Sequence, residues 1–170
     1  LATIENSSFK IGSLELMNNF NVIEQDKNTK VHIEIDNLYK GYFVFNHQYR
    51  EGLHELFYQL NLKNYQTIVL SGDNDGEKLY LETVLPEATL LVFNQKPEQK
   101  LQYIEALQQE GKNVMMVGDG LNDAGALAQS NIGIALSENV NVFSPACDGI
   151  MDASQFQKLF HYIKYSKNAM

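Results

Sequence analysis

From Phe45 to its end the chain alternates apolar runs of strand length with amphipathic runs of helix length. The apolar runs are "QTIVL", "ATLLVF", "NVMMV" and "IGIAL", and "DGIM" is a candidate last strand. Between them, "REGLHELFYQL" sets Leu53, Leu56, Phe57 and Leu60 on one helical face. "KPEQKLQYIEALQQEG" does the same with Leu101, Ile104 and Leu107, with Pro97 in its first turn and Gly111 as its stop. "DGEKLYLETVL" reads as a helix ended by Pro86, "NDAGALAQS" as a short one, and the closing helix aligns Phe156, Leu159, Phe160 and Ile163. A strand that is apolar along its whole length must be covered on both faces. Strands separated by helices run parallel. The predicted fold class is therefore α/β, a Rossmann-like parallel sheet with helices on both faces.

A short antiparallel β segment is expected to precede it. "SSFKIGS" and "KVHIEI" read as strands, and Val31, Ile33 and Ile35 alternate with His32 and Glu34 at the period of a half-buried strand. Asp36-Asn37 is a turn signal, so Val31 to Phe45 is predicted to be a hairpin. Two regions follow, 1–45 and 46–170.

The totals narrow the function classes. In 170 residues the net charge is −8, with a pI near 4.9. That argues against a nucleic-acid scaffold, which needs a basic face, and against an anionic membrane surface. The single cysteine, Cys147, excludes an intrachain disulfide and fits a reducing compartment. His32, His47, His54 and His161 are scattered, so no soft-metal site is expected. No apolar run is long enough to span a bilayer. The opening "LATIENSSFKIG", with neither an initiator Met nor a signal pattern, is expected to be a cut through a longer protein.

In open parallel sheets, ligands bind at the carboxyl ends of the strands. That places two polar turns as the candidate site, Ser71-Gly72-Asp73 and Gly118-Asp119-Gly120. A lone Gly-Asp-Gly is commonly just a turn, but here Asn122 and Asp123 follow at a helix start. Paired carboxylates at this spacing suit magnesium, which keeps several waters and takes one or two carboxylates plus phosphate oxygens. Gly118 and Gly120 would let backbone amides approach a ligand. A Ser71 hydroxyl beside free backbone N–H groups can cradle a phosphoryl oxygen. Lys100, in the first turn of its helix, matters if its ammonium reaches the charge that a transferring phosphoryl group builds up.

Together these segments resemble the haloacid dehalogenase superfamily, and more closely its P-type ATPases of the heavy-metal class. "SGDN" is similar to that family's TGDN, "KPEQK" to its PxxK segment, and "MVGDGLNDAGALAQSNIGIALSE" to its MVGDGxNDAPALA block. "GYFVFNHQYREGLHEL" resembles its hinge strand and helix start. The resemblance implies a haloacid dehalogenase-like fold in which 1–45 are the last strands of a nucleotide-binding domain. Residues 46–170 would be a phosphorylation domain without its nucleophile strand, since no DKTGT occurs. It implies Mg2+ at Asp119 and Asp123, and phosphoryl contacts from Ser71, Gly72, Gly120, Asn122 and Asp123, with Asp73 ordering the Ser71 loop. Lys100 would neutralise transition-state charge, and Arg50 and His47 would sit at a hinge facing ATP. The implied parent is an ATP-driven heavy-metal cation pump, with copper the first guess. This chain would lie at the cytoplasmic face of the cell membrane, with the rest of the pump as partner and no nucleic acid. Three positions depart from the pattern: His47 for Asp, Ser71 for Thr and Gly125 for Pro. A stand-alone phosphatase of the superfamily and a degenerate, non-catalytic phosphate-binding domain are the alternatives.

Overall fold

The computed structural model describes residues 2–4, 7–17, 29–45, 49–119, 122–138 and 146–168. The chain divides into two compact units, 1–48 with 74–79, and 49–73 with 80–170.

The first unit is a four-stranded antiparallel sheet of β1 (Ala2–Ile4), β2 (Ser7–Gly12), β3 (Thr29–Ile35) and β4 (Leu38–Phe45), in that order. The predicted hairpin is β3–β4. Its turn residues Asp36 and Asn37 have φ of 50° and 62°, the left-handed region that Asn and Asp tolerate better than most residues. The Asp36 carboxylate accepts from the Ser8 amide at 2.8 Å, tying the turn to β2. Register puts Phe9 opposite Ile35, Ile11 opposite Ile33 and Val31 opposite Phe43, so one face of the sheet is apolar. That face is open, with Ile11, Leu38, Phe43 and Phe45 each more than half exposed. The opposite face buries His32 and Glu34. There the Lys10 ammonium meets Glu34 at 2.6 Å, and His32 Nδ1 lies 2.8 Å from the Tyr39 hydroxyl. Burying those polar groups is tolerable because each has a partner.

The second unit carries the parallel strands. β5 (Ile68–Leu70) pairs with β6 (Leu90–Val92), and β7 (Met115–Gly118) pairs with β8 (Ile132–Ser137), which pairs with β9 (Gly149–Asp152). All these pairings are parallel, as the alternation predicts, but the strands form a pair and a trio rather than one continuous sheet. The helices are α1 (Leu53–Leu62), α2 (Lys78–Val84), α3 (Pro97–Gln109), α4 (Ala124–Gln129) and α5 (Leu159–Asn168). α1 starts three residues later than "REGLHEL" suggests, because Gly52 takes a left-handed φ of 77° that a growing helix cannot contain. The core joins α3, α4, β7 and β8 through Ile104, Met116, Ala126, Leu127 and Ala135, with Leu70, Val114 and Cys147 against it. Met116 is buried in this core while Met115, expected to be buried with it, is 37% exposed. Alternate residues of a strand point to opposite faces. An amide cluster locks the far ends of these elements. Gln108 donates to the Gln129 carbonyl and to the Asn131 side chain, which also accepts from the Val114 amide.

Candidate functional site

The site grows from the C-terminal ends of β5 and β7. Pro97 starts α3, and the Gln99 side chain closes its N-terminus by accepting from the Lys96 amide at 2.8 Å. This puts Lys100 in the first turn, on the same side as Ile104 four residues on. A lysine there would ordinarily be solvated. Lys100 is instead buried, 9% exposed, because α3 packs its inner side against α4. Its Nζ donates to Asp123 Oδ1 at 2.7 Å, and Asp123 is also 9% exposed.

Asp123 is the N-cap residue of α4, yet its side chain makes no capping bond. An Asp at that position commonly bonds the helix amides. Here the carboxylate is spent on Lys100. The room for it comes from Gly118: a Cβ at that position would lie 2.9 Å from Asp123 Cβ and 3.0 Å from its Cγ, and would collide with Oδ2. The motif glycine therefore makes space for a side chain. The sequence suggests only that it bares the backbone to a ligand. Nothing in the local sequence signals this, because the two residues are five apart and meet only when the turn folds back.

The other turn is built differently. Ser71 and Asp73 follow β5, and the Ser71 hydroxyl accepts from the Asp73 amide at 3.1 Å. A hydroxyl that accepts in this way keeps its proton to donate. The loop after β6 braces this turn: Gln95 donates its amide to the Ser71 carbonyl at 2.9 Å, and Asn94 donates to the Asp73 carbonyl at 2.8 Å. Gly72 faces the Gln95 carbonyl. Asn94, held at a φ of 58°, and Gln95 are supporting residues that carry no motif signal in the sequence.

The structure thus brings Lys100, Asp123 and Gly118 together, and separately Ser71, Gly72 and Asp73. Asp119 and Asn122 are exposed at the β7 end, and Arg50 is exposed before α1. His47 and Gly120 lie outside the described residues. Among the described residues no group of three or more His, Cys, Asp or Glu side chains is placed to hold a metal, and no helix is long and apolar enough to cross a membrane.

This combination, parallel strands ending in a Ser turn and an Asp turn with a buried Lys–Asp pair, defines an α/β domain with a polar site at its strand ends. Residues 3–131 match the model of the haloacid dehalogenase-like hydrolases, and the chain belongs to that family. It is 31% identical over 166 residues to a copper-transporting ATPase of Helicobacter pylori, covering 93% of this chain and 22% of that protein. It is also 31% identical over 151 residues to a potassium-transporting ATPase ATP-binding subunit of Bacillus mycoides, covering 88% of this chain and 21% of the subunit. The chain therefore spans about a fifth of the length of the curated relatives it matches. In fold it is similar to the catalytic CPx-ATPase domain CopB-B, with a TM-score of 0.69 at 23% identity over 96% of this chain and 59% of that one. It is similar also to a zinc-transporting PIB-type ATPase in the E2.Pi state, with a TM-score of 0.66 at 23% identity over 84% of this chain and 23% of that one.

Proposed function

We propose that this chain is part of the catalytic region of an ATP-driven heavy-metal cation pump, with copper the favoured ion. In this reading residues 1–45 are the last strands of its nucleotide-binding domain. Residues 46–170 are its phosphorylation domain without the strand that carries the nucleophile. The observation that carries it is the buried Lys100–Asp123 pair at the end of β7. A buried ion pair is a poor way to stabilise a fold, since apolar residues in its place do as well or better. Its presence at a strand end favours a chemical use. Lys100 would present positive charge to a transferring phosphoryl group, with Asp123 fixing the ammonium. Ser71, Gly72, Asn122 and Gly120 would contact phosphoryl oxygens, Asp73 would order the Ser71 turn, and Arg50 with His47 would lie at the hinge near ATP.

A hard cation fits the donors. Asp119 is exposed at the strand end, while Asp123 has one oxygen committed to Lys100. Magnesium held by Asp119, with Asp123 organising its surroundings, would neutralise phosphate charge there. The open apolar face of the β1–β4 sheet supports the reading of a partial domain, because a monomer seldom leaves such a face uncovered. On this reading the chain sits at the cytoplasmic face of the membrane, and the rest of the pump is its partner.

The test is a magnesium titration followed by amide NMR. Shifts confined to Val117–Asp123 and lost in Asp119→Asn are expected. Silence at that turn up to tens of millimolar magnesium would sink the metal assignment and favour a degenerate domain. With labelled ATP and magnesium no phosphoprotein should form, because DKTGT is absent. Acyl phosphate on Asp36, or turnover of a phosphate monoester by this chain, would replace the pump reading with a self-sufficient phosphatase.

A further inference from the structure

The loop between β6 and α3 is bonded to both halves of the site. On one side it is zipped to the Ser71 turn. The Ser71 amide donates to the Val92 carbonyl, the Gln95 amide donates back to the Ser71 carbonyl, and the Asn94 amide donates to the Asp73 carbonyl, each bond 2.8 or 2.9 Å long. Gly72 adds a close approach, since a Cβ there would lie 3.3 Å from the Gln95 carbonyl oxygen. On the other side the next residue, Lys96, is the N-cap of α3, and its carbonyl accepts from the Lys100 amide at 3.0 Å. The stretch 94–100 therefore joins the Ser71 turn to the lysine that reaches Asp123.

The direction of that stretch is set at Asn94, which is exposed and has a φ of 58°. Asn tolerates left-handed backbone, and a β-branched residue does not. Because the side chain is exposed, a substitution there acts through the backbone and not through packing. We propose that Asn94 is a positioning residue for the site: its left-handed backbone holds the Ser71 hydroxyl and the Lys100 ammonium in one register, so that both meet a single phosphoryl group. The ligand in this inference rests on the phosphoryl reading above; the coupling rests on the hydrogen bonds. The Ser71 hydroxyl accepts from the Asp73 amide and so has its proton to give. Donors stabilise a developing charge when they are fixed in place beforehand, and a small misplacement loses much of the effect.

The test is NMR of the isotope-labelled full chain, reading the amides of 71–73 and the Lys100 ammonium. Asn94→Val should shift both sets together and speed hydrogen exchange at the Gln95 amide about tenfold, the scale of a left-handed penalty. Asn94→Gly should keep the native spectrum, since glycine takes that φ freely. Asn64→Val is the control. Asn64 is also exposed with a φ of 58°, but it follows α1, and strain there should leave the Ser71 and Lys100 signals in place. With inorganic phosphate and magnesium, Asn94→Val should raise the half-saturating phosphate concentration about tenfold at both the Ser71 turn and Lys100, and Asn94→Gly should not. If the valine protein does not fold, Asn94→Ala carries the same comparison. Shifts confined to 71–73 with Lys100 unmoved, a glycine variant that behaves like valine, or native phosphate affinity in Asn94→Val would each overturn the proposal and leave the phosphoryl reading standing. No phosphate response from the native chain would sink that reading, and this role with it.

Discussion

Replacing Lys100 by Met keeps the side chain's length and removes its charge. In the native chain the ammonium lies 2.7 Å from Asp123 Oδ1, and both side chains are 11% exposed. The variant leaves a carboxylate wedged against Gly118 with no counter-ion. Breaking a buried pair on one side costs about 3–5 kcal/mol. Both groups retain a little solvent, so water can partly re-enter, and about 2–4 kcal/mol is the working figure. That is a large share of the ~5–15 kcal/mol that holds an ordinary domain. With a urea slope of about 2 kcal/mol/M, the unfolding midpoint should fall by roughly 1–2 M. Asp123→Leu alone should also destabilise, because it strands the ammonium. The double variant Lys100→Met, Asp123→Leu should recover most of the loss, since neither charge then remains buried. The four proteins form a double-mutant cycle whose coupling energy is read directly from urea curves. A loss below about 0.5 kcal/mol for Lys100→Met, the scale of an exposed ion pair, would refute the claim that this pair is buried and mutually dependent.

Other expectations follow from the same geometry. Gly118→Ala should cost about 1–3 kcal/mol by overpacking against Asp123, and adding Lys100→Met to it should cost less than in the native background; strict additivity in urea would show that Gly118 does not seat Asp123. Leu127→Ala, at a fully buried position between α4 and β8, should cost about 2–5 kcal/mol in the same assay. The Asp152 carboxyl is held below its ordinary value of 3.8 by hydrogen bonds from the Ser154 side chain and amide. A lowered value means that its contribution is fully present above that ordinary value and fades as pH falls through the folded-state value. Melting curves of native and Asp152→Asn proteins should therefore differ in acid slope only below about pH 4, and a difference confined to neutral pH would contradict this.

The sequence by itself determined the order and kind of the elements. Period-2 alternation in "KVHIEI", uniformly apolar strands after it, and helical spacing in "KLQYIEAL" are local signals, and local signals survive without knowledge of the fold. They also located the two polar turns, because a strand running into Gly and Asp is visible in a line of text. The structure alone decided what those turns contain. Lys100 and Asp123 are 23 residues apart, and only α3 packing on α4 buries them together. The use of Gly118 as space for a carboxylate, and the bracing of Ser71 by Gln95, depend on close approach between separate loops. The same holds for the first sheet. Its alternating pattern is plain, but which face is open was not, since His32 and Glu34 turned out to lie on the buried side. Burial is a property of what packs against a strand, and periodicity reports only that its two faces differ.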